Sequence, residues 1–229
     1  MKNHLIVIAL LFSSLQAGPP MLSDDPFVPD RGQFEINLTG ELSEAQERVL
    51  TAPILDANYG LVEDLQITFE LGYINAPNQK GFDTLELAFK WNFYSDDFFA
   101  VAINPKYLSN PVDSIFNEGE VYEVSVPMNF TLSEELSLIV SPAFIYPLTT
   151  DEAHMEFGSY LKYSYEKSDF FIEYFAESSK KYDDLFSIVN LGYMLQFHEN
   201  IAFMLSIGQE IKSPEKEATI AYSGLQFVF

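Results

Sequence analysis

From Gln33 to the end of the chain, apolar residues recur at every second position. In LQITFELGY, Leu65, Ile67, Phe69, Leu71 and Tyr73 fall on one face, and Gln66, Thr68, Glu70 and Gly72 on the other. In TLELAFKWNF, Leu85, Leu87, Phe89, Trp91 and Phe93 oppose Glu86, Ala88, Lys90 and Asn92. Alternation over about ten residues has the period of a strand, not of a helix. Twelve such runs are read, near 33–39, 49–59, 65–74, 82–93, 98–107, 119–131, 136–146, 154–166, 169–176, 184–197, 201–210 and 217–229.

The connections alternate too. GLVED, SDD, SEE, EKS and HEN are tight; TGELSEAQE, NAPNQKG, LSNPVDSIFNEG, TTDEA, SSKKYDD and KSPEKE are longer and polar. An even strand number with short turns at one end and longer loops at the other predicts an all-β, antiparallel up-and-down transmembrane β-barrel of about 12 strands. A soluble sandwich produces the same alternation. The length of the runs and the charge-free middles of their apolar faces favour the membrane, where a crossing strand needs about 9–11 residues and a midplane Lys or Arg costs roughly 2–4 kcal/mol. Aromatic residues collect near run ends, at Tyr59, Tyr73, Phe93, Tyr107, Tyr146, Tyr163, Tyr165 and Phe197, where interfacial girdles belong.

Other features divide the chain into three. MKNHLIVIALLFSSLQA has an early Lys, an apolar core from Leu5 to Phe12 and a small residue at Ala17, so 1–17 reads as a secretory signal peptide. Residues 18–32 form a Pro-rich acidic extension with Pro19, Pro20, Pro26 and Pro29, expected to trail as a tail or fold inward as a plug. Residues 33–229 make the barrel. Its last strand must close on its first, and Leu225, Phe227 and Phe229 share one face of that strand. They match the C-terminal pattern expected of a signal for the barrel assembly machinery.

The formal net charge is −22, from 34 acids against 12 bases, and falls by one to −23 if Lys2 is removed with the signal peptide. Such a chain is no nucleic-acid binder. Without cysteine it has no disulfides or thiolate chemistry. Placing each polar face in the lumen makes Glu35, Asp56, Glu70, Glu86, Lys90, Lys106, Glu123, Glu156, Lys162, Glu173 and Glu210 the expected pore-lining charges. Eight acids against three bases would attract cations, although Glu86, Lys90, Lys106 and Glu123 are also placed to pair across three strands. Ile139, Ile145, Phe171, Phe175, Phe186, Ile188, Met194, Met204 and Tyr222 add apolar lumenal positions, mainly in the C-terminal half.

No catalytic residue is expected. A barrel hydrolase needs a Ser–His or Asp–His constellation, and His154 and His198 sit at a loop edge and in a tight turn. No metal site or cofactor is expected; Asp151, Glu152, Asp183 and Asp184 are solvated loop charges or bridges to lipopolysaccharide through divalent ions.

The stretches SDDPFVPDRGQFEINL and LDANYGLVEDLQITFELGY resemble the outer-membrane proteins named for the meta-pathway of phenol degradation. The matching pieces are Asp24-Asp25-Pro26 with Gly32-Gln33-Phe34-Glu35-Ile36-Asn37, then Asp56-Ala57-Asn58-Tyr59-Gly60-Leu61 with Asp64-Leu65-Gln66. The resemblance implies a transporter-like barrel for small compounds, aromatic or hydrophobic ones among them, and no catalytic residues. The expected function is passive passage of small solutes through an acidic lumen, with outer-membrane lipid, lipopolysaccharide, the assembly machinery and the solute as partners. The alternative is a closed barrel with a structural or surface-interaction role.

Overall fold

A computed structural model describes residues 20–44, 48–76, 79–109, 120–148, 153–178, 185–212 and 218–229. The expected signal peptide and the loop acids Asp151, Glu152, Asp183 and Asp184 lie outside them. The strands are β1 (Phe34–Glu44), β2 (Arg48–Val62), β3 (Leu65–Ala76), β4 (Gln79–Ser95), β5 (Phe99–Ser109), β6 (Glu120–Ser125), β7 (Met128–Thr131), β8 (Leu136–Pro147), β9 (His154–Tyr165), β10 (Ser168–Ser178), β11 (Leu185–His198), β12 (Ile201–Lys212) and β13 (Thr219–Val228). All pairings are antiparallel between neighbours.

β6 and β7 are two halves of one stave. Both lie between β5 and β8, and Pro127, which has no N–H to give the ladder, interrupts them. The barrel therefore has twelve staves, one for each sequence run. β1 closes on β13 from Glu35↔Val228 to Glu44↔Thr219, and Phe34 and Phe229 exchange backbone hydrogen bonds of 3.0 and 2.9 Å. No edge is left open, as a bilayer requires.

The tight turns are where the sequence puts them, and Asp64 and Glu166 supply the positive φ that two-residue hairpins need. At the opposite end the strands run further than the hydrophobic pattern reaches. β1 continues to Glu44 and β4 spans 17 residues from Gln79, because the ladder persists into polar sequence once the hairpin has set its register.

The two faces follow the period of two. Ile67, Phe69, Leu87, Phe89, Trp91 and Phe93 stand outward and exposed. Their inward neighbours Gln66, Thr68, Ala88, Lys90 and Asn92 are buried. An exposed apolar band around buried polar residues inverts a soluble protein and suits a lipid surround. Of the expected girdle residues, Tyr73, Phe93, Tyr146, Tyr163, Tyr165 and Phe197 are exposed on the outer face. Phe227 and Phe229 stack there at 6.3 Å.

Candidate functional site

The interior is not empty. Residues 20–33 form no strand and run across the lumen. Glu173 on β10 accepts from the Ser23 backbone N–H at 2.8 Å, Ser23 Oγ at 2.5 Å and the Leu22 N–H at 3.1 Å. Asp24 Oδ2 accepts from Lys106 Nζ at 2.9 Å, Asn104 Nδ2 at 3.1 Å and Ser125 Oγ at 2.5 Å. Asp25 lies 3.7 Å from Lys90 Nζ, which also donates to the Phe27 carbonyl at 3.2 Å. Asn92 donates to the Pro26 carbonyl at 2.9 Å. The segment thus crosses from β10 past β5 and β6 to β4, then turns into β1.

Pro20, Pro26 and Pro29 have no N–H to give a ladder, and lumenal side chains bond to this stretch's backbone instead. The barrel makes room with glycine. At Gly158 a Cβ would run into Ser23, and at Gly60 into the Asp30 carbonyl. The two aspartates differ. Burial pushes Asp24 up, but Lys106, Lys90 and Ser125 outweigh it and hold the carboxyl down to about 2. Asp25 is raised by burial, with Lys90 opposing.

A cavity of about 640 Å³ remains beside the segment. Of the expected pore-lining charges, Glu35, Asp56, Glu70, Glu86, Lys90 and Lys106 line it. Asp56 pairs with Glu70 across β2–β3, and Glu70 with Glu86 across β3–β4. Three carboxylates therefore lie side by side on three strands. Asp56 accepts from Asn37 Nδ2 at 2.9 Å and Asn58 Nδ2 at 3.1 Å. Asn58 Oδ1 in turn accepts from Gln66 Nε2 at 2.5 Å and Thr68 Oγ1 at 2.6 Å.

The other expected charges lie elsewhere inside. Glu123, with Lys106 at 3.1 Å, and Glu156 line a second cavity of about 180 Å³ with Ser23, Asp24 and Phe175. Lys162 pairs with Asp169 at 3.0 Å. Glu173 holds the segment, and Glu210 accepts from the Ala218 N–H at 2.8 Å. The four charges placed to pair with one another do so only in part. Lys106 joins Glu123, but Lys90 turns to Asp25 and Lys106 also takes Asp24. The segment supplies nearer carboxylates than the walls do.

Most of the apolar positions gather on β8–β12, while Ile188 and Tyr222 line the larger cavity and Phe175 the smaller one. Ile139, Tyr160, Phe171, Met194, Ala202 and Met204 on β8–β12 form a buried cluster with Met21 of the interior segment, and Tyr222 and Val228 pack against it. Ile145 and Ile188 are buried as well, and Phe175 meets Phe186 edge-on at 6.5 Å. His154 opens β9, its Nε2 3.0 Å from Glu177 Oε1; His198 sits where β11 enters its turn. Sequence reasoning did not single out Asn37, Asn58, Gln66, Thr68, Asn104, Ser125 or Asn190 as site residues. The period of two carried the signal for all of them, since each shares a face with an expected charge or apolar lumenal position on its own strand.

No family model matches the chain, and no curated protein matches it by sequence. Solved structures do match. An outer-membrane channel from Pseudomonas putida F1 has a TM-score of 0.66 at 11% identity, covering 93% of this chain and 100% of that one. The KdgM porin, solved with disordered oligogalacturonate, has a TM-score of 0.64 at 10% identity, covering 85% and 99%. The CymD monoaromatic hydrocarbon channel has a TM-score of 0.55 at 8% identity, covering 87% and 89%. The chain has the fold of outer-membrane channel barrels. At these identities the likeness is one of fold.

Proposed function

We propose that this protein is an outer-membrane channel for the passive passage of small solutes, with an acidic interior that favours cations. The observation that carries the reading is the cavity of about 640 Å³ inside a closed lipid-facing barrel, with eight carboxylates and two lysines among its described lining residues. A cavity lined by one sign of charge concentrates the opposite ion. Barrels of this fold carry names as unlike as a porin solved with oligogalacturonate and a hydrocarbon channel, so the wall, not the fold, sets the solute. The sequence resemblance to the phenol meta-pathway proteins and the apolar side chains of Ile54, Ile188, Ile220 and Tyr222 on the cavity wall support an aromatic or hydrophobic body on that solute. Export through 1–17 and folding by the assembly machinery reading Leu225, Phe227 and Phe229 belong to the same proposal, as does contact with lipopolysaccharide at the outer rim.

The segment at 20–33 favours a second reading, a closed barrel without transport. Single-channel recording in planar bilayers under a KCl gradient separates the two. The channel reading expects discrete steps and a cation-selective reversal potential, which Glu70→Gln with Glu86→Gln shifts toward zero. Deleting 18–30 is expected to raise the conductance. It is also expected to lower cation preference, because the cavity loses Asp24, Asp25 and Asp30 while Lys90 and Lys106 lose partners. Silence from both the folded full chain and the deletion would leave the closed barrel standing.

A further inference from the structure

The segment at 20–33 is held off-centre. Met21 packs into the apolar cluster with Tyr160, Phe171, Met194 and Met204, and at Gly192 an added Cβ would run into the Met21 methyl. Ser23 bonds to Glu173 on β10, and Asp24 to Lys106 on β5 and Ser125 on β6. Apart from the smaller cavity, that side of the lumen is filled.

The larger cavity lies on the other side. Its described lining comes from the segment, β1–β5 and β11–β13, with nothing from β6–β10. It also reaches past the segment in height. Gln33, Gln66 and Val228 line it at the tight-turn end, and Glu41, Glu86 and Ile220 line it further along. From Ile220 to Val228 is about 27 Å of β13 at roughly 3.4 Å per residue. At a strand tilt of about 35–45° that is roughly 20 Å of barrel height, against an apolar band of about 25 Å.

Moving the segment aside would be costly. Glu173 is 1% exposed and would keep only Asn190 of its described partners, while Lys90 and Lys106 would lose Asp25 and Asp24. Removing one partner of a buried ion pair leaves an uncompensated charge and is strongly destabilising.

We infer that the segment stays in place during passage as a fixed liner, and that solute moves off-centre, between the segment and the wall of β11–β13 and β1–β5. Asp24 and Asp30, which line the cavity from the segment, then belong to the selective wall of the passage. The inference deepens the channel reading and rests on it.

The chain has no cysteine, so thiols can be placed at will. Asp24→Cys with Ser125→Cys puts two thiols where the native side chains meet at 2.5 Å, and oxidation ties the segment to β6. Single-channel recording compares the oxidised full mature chain with the same protein after reduction. Discrete steps of equal conductance are expected from both. Steps that appear only after reduction would mean that the segment must leave, which overturns the inference and leaves the channel reading standing. Silence from both forms, with current from a chain lacking 18–30, overturns it as well, because the segment then closes the barrel. Silence from all three removes the channel reading and the inference with it. If the disulfide does not form, two single cysteines decide. The cationic thiol reagent MTSET should lower the current through Thr39→Cys, on the cavity wall, and move its reversal potential toward zero. It should leave Ala202→Cys, 0% exposed in the packed cluster, unaffected. Current that responds at Ala202→Cys, or not at Thr39→Cys, overturns the path.

Discussion

Glu173 tests how the interior segment is held. Its carboxylate is 1% exposed and accepts four hydrogen bonds, two on each oxygen. Oε1 takes the N–H and hydroxyl of Ser23; Oε2 takes the Leu22 N–H and Asn190 Nδ2. Glu173→Gln keeps one acceptor oxygen and turns the other into an NH2 that faces donors. At least two bonds are lost whichever way the amide turns. A hydrogen bond to a charged group contributes about 1.5–3 kcal/mol, so local anchoring should weaken by about 3 kcal/mol. That is roughly a hundredfold rise in local opening. Hydrogen exchange read by mass spectrometry on the folded barrel is the direct assay. The amides of Leu22 and Ser23 should exchange about two orders of magnitude faster, while the β10 and β11 ladder keeps its protection. Unchanged exchange at Leu22 and Ser23 would refute the anchoring role and shift it to the Asp24 and Lys90 contacts.

Gly158→Val places methyl groups where Ser23 sits, so it should release the same amides without loss of the barrel on heat-modifiable electrophoresis. Phe69→Lys puts an ammonium on the exposed face of β3; urea unfolding from lipid vesicles should show a loss of roughly 2–4 kcal/mol, and an unchanged midpoint would contradict a lipid-facing β3. In the β4–β5 turn, Asp96 accepts from Tyr94 Oη at 2.7 Å and from the Phe98 and Phe99 N–H groups at 2.8 and 2.9 Å. The tyrosine hydroxyl first, then those amides, hold its carboxyl below the usual range. A depressed folded value means these bonds are complete above the ordinary aspartate value of about 4 and are lost as pH falls through the lower folded one; exchange protection of Phe98 and Phe99 should fall in that window and not in Asp96→Asn.

The barrel was legible because one period decides everything in it. Each run alternates, so Phe69 and Phe89 had to face out once Glu70 and Lys90 faced in, and all eleven expected charges lie on the inner side. Pro127 did not hide its stave, since β6 and β7 keep the same partners on either side of it. The interior segment was not legible in the same way. Residues 20–33 carry no periodicity, and whether Asp24 trails in water or meets Lys106 depends on contacts 82 residues apart in sequence. The same blindness affected the pairing of Lys90. Spacing offered it Glu86 or Glu123, whereas Asp25 reaches it from a part of the chain without a strand.

That diversion explains why Glu70 and Glu86 stand without an ion pair from the described residues. Facing carboxylates on adjacent strands lie about 5 Å apart at Cβ and repel by about 1–3 kcal/mol per pair between the water and near-surface limits. Asp56, Glu70 and Glu86 hold two such pairs on three strands. A barrel selected for stability alone would put Lys90 and Lys106 against them, since Lys90 shares β4 with Glu86 and Lys106 is on the neighbouring β5. Instead the lysines anchor the segment, and the amides of Asn37 and Asn58 serve Asp56 and, at 3.4 and 3.5 Å, Glu35. Glu70 and Glu86 thus keep unfilled acceptor capacity on the wall of the larger cavity. Sequences break local rules where function requires it, and here the break coincides with the larger of the two cavities described above. The segment and the acids then form one arrangement, in which Asp24 and Asp25 occupy Lys106 and Lys90 and leave Glu70 and Glu86 without an ion pair from the described residues.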